Sequence, residues 1–197
     1  MGLYIFEGNE NSGKTTLIDK LLEWRPWFIK CKRTASTWYT NHELPETDAN
    51  HDPYPNNWDM NEAFFNDWRF FLEAISFDPE GFNKASFVFD RSFITDWVFK
   101  RALYPEAFTD NYQKMYAAYE AKLNKLPHVI FYCTRQVLDG FKDNFAGSAN
   151  LTKEDHDKLQ HWFDEWRKQT TLNVIDIDND AFTVNDNINK IIAHVGS

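Results

Sequence analysis

Short apolar runs alternate with longer stretches of helical periodicity along these 197 residues, and the alternation predicts an α/β fold built on a parallel sheet. Two placements support it. A glycine-bearing turn, Gly8 to Gly13, follows directly on the first apolar run, and a carboxylate, Asp90, closes the third. A parallel sheet builds its ligand crevice from turns and polar groups at the carboxyl ends of its strands.

Strands are expected at about residues 2–6, 27–32, 85–90, 127–133 and 172–178. The first carries Leu3-Tyr4-Ile5-Phe6, the third ends Phe87-Val88-Phe89-Asp90, and the fourth carries Val129-Ile130-Phe131-Tyr132. Helices are expected over 13–25, 59–77, 91–102, 109–126, 152–170 and 183–195. Thr152, followed by Glu154 and Asp155, reads as a helix start, and Thr183 with Asp186 as a capping box. Pro26, Pro79 and Pro127 punctuate the ends of elements. Residues 34–58, rich in Thr, Asn, Asp, His and Pro, and residues 139–151 fit neither element type. Long irregular segments of this kind serve as binding loops or lids, and a lid is expected at about 136–151.

The length suits a single domain, residues 1–197, with a substantial core. A net charge of −9 disfavours a sequence-independent nucleic-acid binder and favours a small substrate, with positive charge gathered in one site. Cys31 and Cys133 lie in strand-like apolar runs and read as buried free thiols. No stretch approaches a membrane span, and no signal peptide is recognisable at the N-terminus, so a reducing, cytoplasmic setting is expected. The six histidines show no metal spacing.

Residues 8–15 read Gly8-Asn9-Glu10-Asn11-Ser12-Gly13-Lys14-Thr15, the phosphate-loop pattern G-x-x-x-x-G-K-[ST]. Its glycines let backbone N–H groups converge on one concavity, and the following helix adds its positive end. Lys14 supplies charge for β- and γ-phosphates, and the Thr15 hydroxyl is a Mg²⁺ ligand of the right hardness. Gly8 through Thr16 is therefore the expected ATP-binding segment. An ordinary glycine turn with a surface lysine is the bland alternative. Asp90 would face the same crevice and hold Mg²⁺ directly or through water, and the Arg91 guanidinium suits a phosphate; a helix-capping Asp with a surface Arg is the alternative there. Phe65 and Arg69, four residues apart, share a helix face that could stack on and hydrogen-bond a base. Thr95 and Phe99 are spaced likewise; spacing alone favours plain packing for Phe65 and Phe99 and a surface role for Arg69.

Phe6-Glu7-Gly8-Asn9-Glu10-Asn11-Ser12-Gly13-Lys14-Thr15-Thr16, the Asp90-Arg91 pair and the Phe65/Arg69 pair together resemble the thymidylate kinase-like nucleotide kinases. The run Arg91-Ser92, Thr95-Asp96, Val98-Phe99 is similar to the deoxynucleoside kinase branch, with Asp90 where that branch has Glu. The resemblance covers about the first hundred residues. It implies a three-layer α/β/α P-loop kinase fold with five parallel strands in the order 2-3-1-4-5. It implies that Glu10 approaches the substrate sugar or the metal shell, and that Phe65, Arg69, Arg91, Thr95 and Phe99 bind substrate. A homodimer is implied by resemblance only. The sequence departs from the pattern in places. Lys32-Arg33-Thr34-Ala35 stands where the family has an Arg-Glu-Pro-Gly-Gly-like loop. No Glu-Pro pair is present, Asn11 stands where some members have arginine, and Lys100 replaces a glutamine-like position. Residues 136–166 contain no arginine, Lys142 and Lys153 being the nearby cations.

The expected chemistry is phosphoryl transfer from ATP·Mg²⁺ to a (deoxy)nucleoside monophosphate, with Lys14, Asp90 and Arg91 as catalytic residues and Thr15 and Asp90 on the metal. A deoxynucleoside, or a hydroxyl on DNA, is the alternative acceptor. A nucleotide-binding module that drives a partner is the rival of another class.

Overall fold

The structure, a computed structural model, describes residues 2–31, 68–69, 71–75, 80, 84–136 and 152–195. In chain order the elements are β1 (Leu3–Glu7), α1 (Lys14–Trp24), β2 (Ile29–Cys31), β3 (Phe87–Asp90), α2 (Phe93–Leu103), a 3₁₀ turn (Pro105–Ala107), α3 (Asp110–Leu123), β4 (His128–Thr134), α4 (Lys153–Gln169), β5 (Val174–Asp178) and α5 (Val184–His194). Residues 68–69 and 71–75 are also helical, inside the helix expected over 59–77.

The five strands form one all-parallel sheet in the order β2-β3-β1-β4-β5. β1 is central and buried along its whole length. Its alternation splits the core in two. Leu3 and Ile5 point to one face, where Trp68, Phe93, Val98, Leu123 and Phe163 pack around them. Tyr4 and Phe6 point to the other, against Leu17, Ile18 and Leu21 of α1 and Ile188 and Ile191 of α5. Helices on both faces of a parallel sheet make the three layers the sequence predicts. Much of the aromatic content goes into this packing: the Trp68 ring lies 4.7 Å from Phe89 and 5.5 Å from Phe93.

The capping box expected at Thr183–Asp186 forms, and the helix start expected at Thr152 is a capping box too, with Asp155. Elsewhere the boundaries move for local reasons. β2 begins at Ile29 rather than about residue 27, because Phe28 N–H turns back to the Arg25 carbonyl at 2.9 Å. α2 starts at Phe93, with the Ser92 hydroxyl capping Ile94 N–H. α3 stops at Leu123, short of the expected 126, where Lys125 and Leu126 tighten into turn bonds ahead of Pro127. Cys133 is buried as expected, but Cys31 is only partly so, since it lies on the sheet's edge strand; burial pushes both thiols up to about 12. Among the described residues no helix is long and apolar enough to cross a membrane.

Candidate active site

The loop between β1 and α1 needs glycine at two positions. Gly8 has φ +134°, and a Cβ there would lie 2.1 Å from the Cys133 carbonyl oxygen. Gly13, with φ +86°, is the N-cap of α1, and a Cβ there would meet the Asn179 amide nitrogen at 3.0 Å. The first contact is with backbone and cannot yield. Gly8→Ala is therefore expected to destabilise the protein by at least about 2 kcal/mol, the cost of a strained left-handed alanine, with the clash in addition. Thermal denaturation would show it as a lower Tm.

Lys14 opens α1 and folds its side chain back over the loop. Its ammonium donates to the Asn9 carbonyl at 2.6 Å, the Ser12 hydroxyl at 3.0 Å and the Gly8 carbonyl at 3.1 Å. Burial, reinforced by the nearby Arg91 charge, pulls its pKa down to about 8. The Asn11 side-chain nitrogen is buried with no hydrogen-bond partner among the described residues, a donor in this loop suited to a ligand oxygen.

The loop is braced from two sides. The Asn9 side chain donates to the His156 carbonyl of α4 at 2.9 Å and accepts Glu10 N–H at 2.8 Å. The Asn179 amide, just past β5, donates to the Ser12 carbonyl at 2.5 Å. Asn187 of α5 in turn donates to the Asn179 side chain and the Asp178 carbonyl, both at 2.9 Å.

β3 lies beside β1 in register, Phe6 opposite Asp90, so Asp90 ends next to the loop. The Thr15 hydroxyl donates to its carboxylate at 3.2 Å. The chain then passes through Arg91 at φ +76°, a left-handed backbone that a non-glycine residue adopts at a cost. Arg91 N–H donates to the Phe6 carbonyl at 2.9 Å, which holds that turn against β1. The guanidinium is buried. One terminal nitrogen donates to the Gly8 carbonyl at 3.1 Å and the Thr95 hydroxyl at 3.2 Å; the other pairs with Glu10 at 2.5 Å. Burial opposes its charge, but Glu10, Asp90 and Glu7 outweigh that and raise its pKa further. Neither residue follows the bland alternative, since Ser92 caps α2 and Arg91 is inside the protein.

The remaining expected site residues fall as follows. Glu10 is on Arg91. Thr95 is buried, its hydroxyl shared between Arg91 and Glu7. Phe99 packs its ring under the Arg91 guanidinium, 5.9 Å from the ring centre. Thr16 is exposed beside Thr15 on the first turn of α1. Arg69 sits on an exposed helical position and acts electrostatically on Tyr119 of α3. Phe65 and most of the expected lid, residues 137–151, lie outside the described residues. Lys100 forms a buried ion pair with Asp96 at 2.9 Å and lies over the Tyr112 ring. Burial lifts the Asp96 carboxyl to about 6, with Lys100 and Tyr112 opposing it.

Sequence reasoning missed Glu7, Asn179, Asn187 and His156. Glu7 carried a usable signal, the same one that marked Asp90: a carboxylate closing an apolar strand. The two asparagines and the histidine carried none, because a lone amide or imidazole becomes informative only once the fold brings it to the loop.

No protein-family model matches the sequence, and no curated protein matches it. Solved structures do. Deoxyadenosine kinase from M. mycoides with bound dATP aligns over 100% of both chains at TM-score 0.55 and 17% identity. Thymidylate kinase from Ehrlichia chaffeensis aligns over 98% of this chain and 96% of its own, at TM-score 0.61 and 13% identity. The YorR protein from Bacillus subtilis, in complex with phosphorylated GDP, aligns over 97% and 94% at TM-score 0.57 and 14% identity. The chain has the P-loop nucleotide kinase fold. In this fold the crevice opens at the carboxyl ends of the central strands, where the strand order switches direction. Lys14, Thr15, Asp90 and Arg91 occupy that end of β1 and β3 here.

Proposed function

We propose that this chain is an ATP-dependent phosphotransferase acting on a small (deoxy)nucleoside-type acceptor, with a monophosphate as the acceptor its residues first suggest. One observation carries the reading. The phosphate loop and the Asp90-Arg91 pair lie side by side, joined by the Thr15–Asp90 bond at 3.2 Å and the Arg91–Gly8 bond at 3.1 Å.

Phosphoryl transfer asks for alignment and charge neutralisation more than for covalent participation. The loop's backbone N–H groups and Lys14 bind the donor's phosphates. To do so the Lys14 ammonium leaves the Gly8 and Asn9 carbonyls, each of which keeps a second donor, Arg91 and Ser12 N–H respectively. The Thr15 hydroxyl and Asp90 carboxylate are two hard oxygens side by side, a set that fits Mg²⁺ completed by phosphate oxygens and water. Thr15 and Asp90 would hold that ion, which neutralises charge on the transferring group when bound. Arg91 directs its fork toward the acceptor from a fixed backbone turn, and Phe99 backs it with an apolar ring. Arg69 and Phe65 remain proposed base contacts, and the segment about 136–151 the proposed lid.

A second acceptor reading is favoured by the Glu10–Arg91 pair. A carboxylate already occupies the side of the Arg91 fork that an incoming phosphate would use, so an uncharged deoxynucleoside would enter without displacing it. The deciding experiment measures ATP·Mg²⁺-dependent transfer to deoxynucleosides, their monophosphates and DNA ends in parallel. Transfer to monophosphates or nucleosides supports the kinase reading and orders its acceptors. Transfer to DNA alone, falling steeply with salt, overturns the small-acceptor reading. ATP binding that no acceptor stimulates overturns the enzyme reading altogether.

A further inference from the structure

Glu7 is fully buried at the end of β1 and belongs to no role described so far. Its two carboxylate oxygens each accept one hydroxyl proton, from Ser92 at 2.5 Å and from Thr95 at 2.6 Å. A carboxylate is an acceptor only, so both hydroxyl protons point toward it. That leaves the hydroxyl lone pairs facing outward. Ser92 uses its lone pair to receive Ile94 N–H at 3.2 Å, which caps α2. Thr95 uses its own to receive the Arg91 guanidinium, also at 3.2 Å. The arrangement is directional: donors run from Ile94 and Arg91 to the hydroxyls, and from the hydroxyls to Glu7. Arg91 sits between, in a left-handed backbone that needs its surroundings to hold it.

We propose that Glu7 is a positioning residue for Arg91: through the Thr95 hydroxyl it holds the guanidinium against the phosphate loop, and through the Ser92 hydroxyl it anchors the helix start that follows. The consequence for turnover rests on the kinase reading; the hold on Arg91 does not.

Glu7→Gln tests this with almost no change of shape. The glutamine amide is a donor on one side, so one hydroxyl must turn its proton away from residue 7 and toward Ile94 N–H or Arg91, both of which are donors themselves. Thr95→Val cuts the same relay without touching Glu7, and Thr95→Ser restores the hydroxyl. The first readout is NMR of the Arg91 guanidinium, assigned by its loss in Arg91→Lys. In the native protein its terminal N–H signals should be resolved. They should merge in Glu7→Gln and Thr95→Val, and stay resolved in Thr95→Ser. Signals still resolved in Glu7→Gln would overturn the proposal. The second readout is kinetic. Glu7→Gln and Thr95→Val should each lower acceptor kcat/KM by about 10²-fold, the scale of an ångström-sized misplacement, while ATP affinity changes little. An equal fall in ATP affinity, or no rescue by Thr95→Ser, would reduce Glu7 to a general structural role and refute the assignment. Native protein that transfers phosphate to no acceptor, with the guanidinium signals still merging in Glu7→Gln, would refute the kinase reading and leave the hold on Arg91 standing.

Discussion

Lys14→Met is expected to lower ATP-dependent transfer by about 10²–10³-fold, the usual loss when one fixed charge stabiliser of a transition state is removed. The same substitution should leave the unliganded protein at least as stable as the native one. The reason lies in where the ammonium rests. Burial moves its pKa from 10.5 to about 8, which costs the charged form roughly 3 kcal/mol at neutral pH. The carbonyls it touches keep other donors, so methionine orphans no acceptor on Gly8 or Asn9. The pH dependence has a definite sign. Between pH 8 and 10.5 the unfolded chain holds the Lys14 proton and the folded chain does not, so this residue's contribution to stability rises with pH across that window. Bound triphosphate favours the charged lysine, so nucleotide binding just above pH 8 should take up a proton in the native protein and none in Lys14→Met. Calorimetry in buffers of different ionisation enthalpy reads that difference. Turnover retained in Lys14→Met would remove the lysine from the donor site.

Asp90→Asn should cripple Mg²⁺-dependent turnover by about 10²-fold or more, on the order of 3 kcal/mol of lost charge stabilisation, while nucleotide binding measured without the metal changes little. The asparagine keeps an acceptor for the Thr15 hydroxyl, so the local geometry survives and only the charge is lost. A metal titration of initial rates reads the effect as a shift of the midpoint to higher Mg²⁺ together with a lower plateau. An unchanged midpoint would separate Asp90 from the metal.

The central strand was legible because it is buried on both faces, and such a strand needs an unbroken apolar run such as Leu3 to Phe6. The phosphate loop was legible because its geometry restricts residue type: alanine at Gly8 would strike Cys133. Asp90 was legible from its place at a strand end. The bracing of the loop was not, because Asn179, itself held by Asn187, reaches Ser12 from 167 residues away. The role of Thr95 was only half legible. Its place in the site followed from the family resemblance, but its partner Glu7 comes from β1, and periodicity within one helix says nothing of that. Phe65 and the 137–151 segment lie outside the described residues, so their expected roles rest on the sequence.

The amide chain from Asn187 through Asn179 to Ser12 carries a consequence for biogenesis. During synthesis the turn between β1 and α1 emerges well before the two asparagines that brace it. A nascent chain halted before Asn187 therefore carries the whole Gly8–Thr15 motif without the clamp that braces it, and a ligand of that loop would stabilise best the chains in which α5 has already docked.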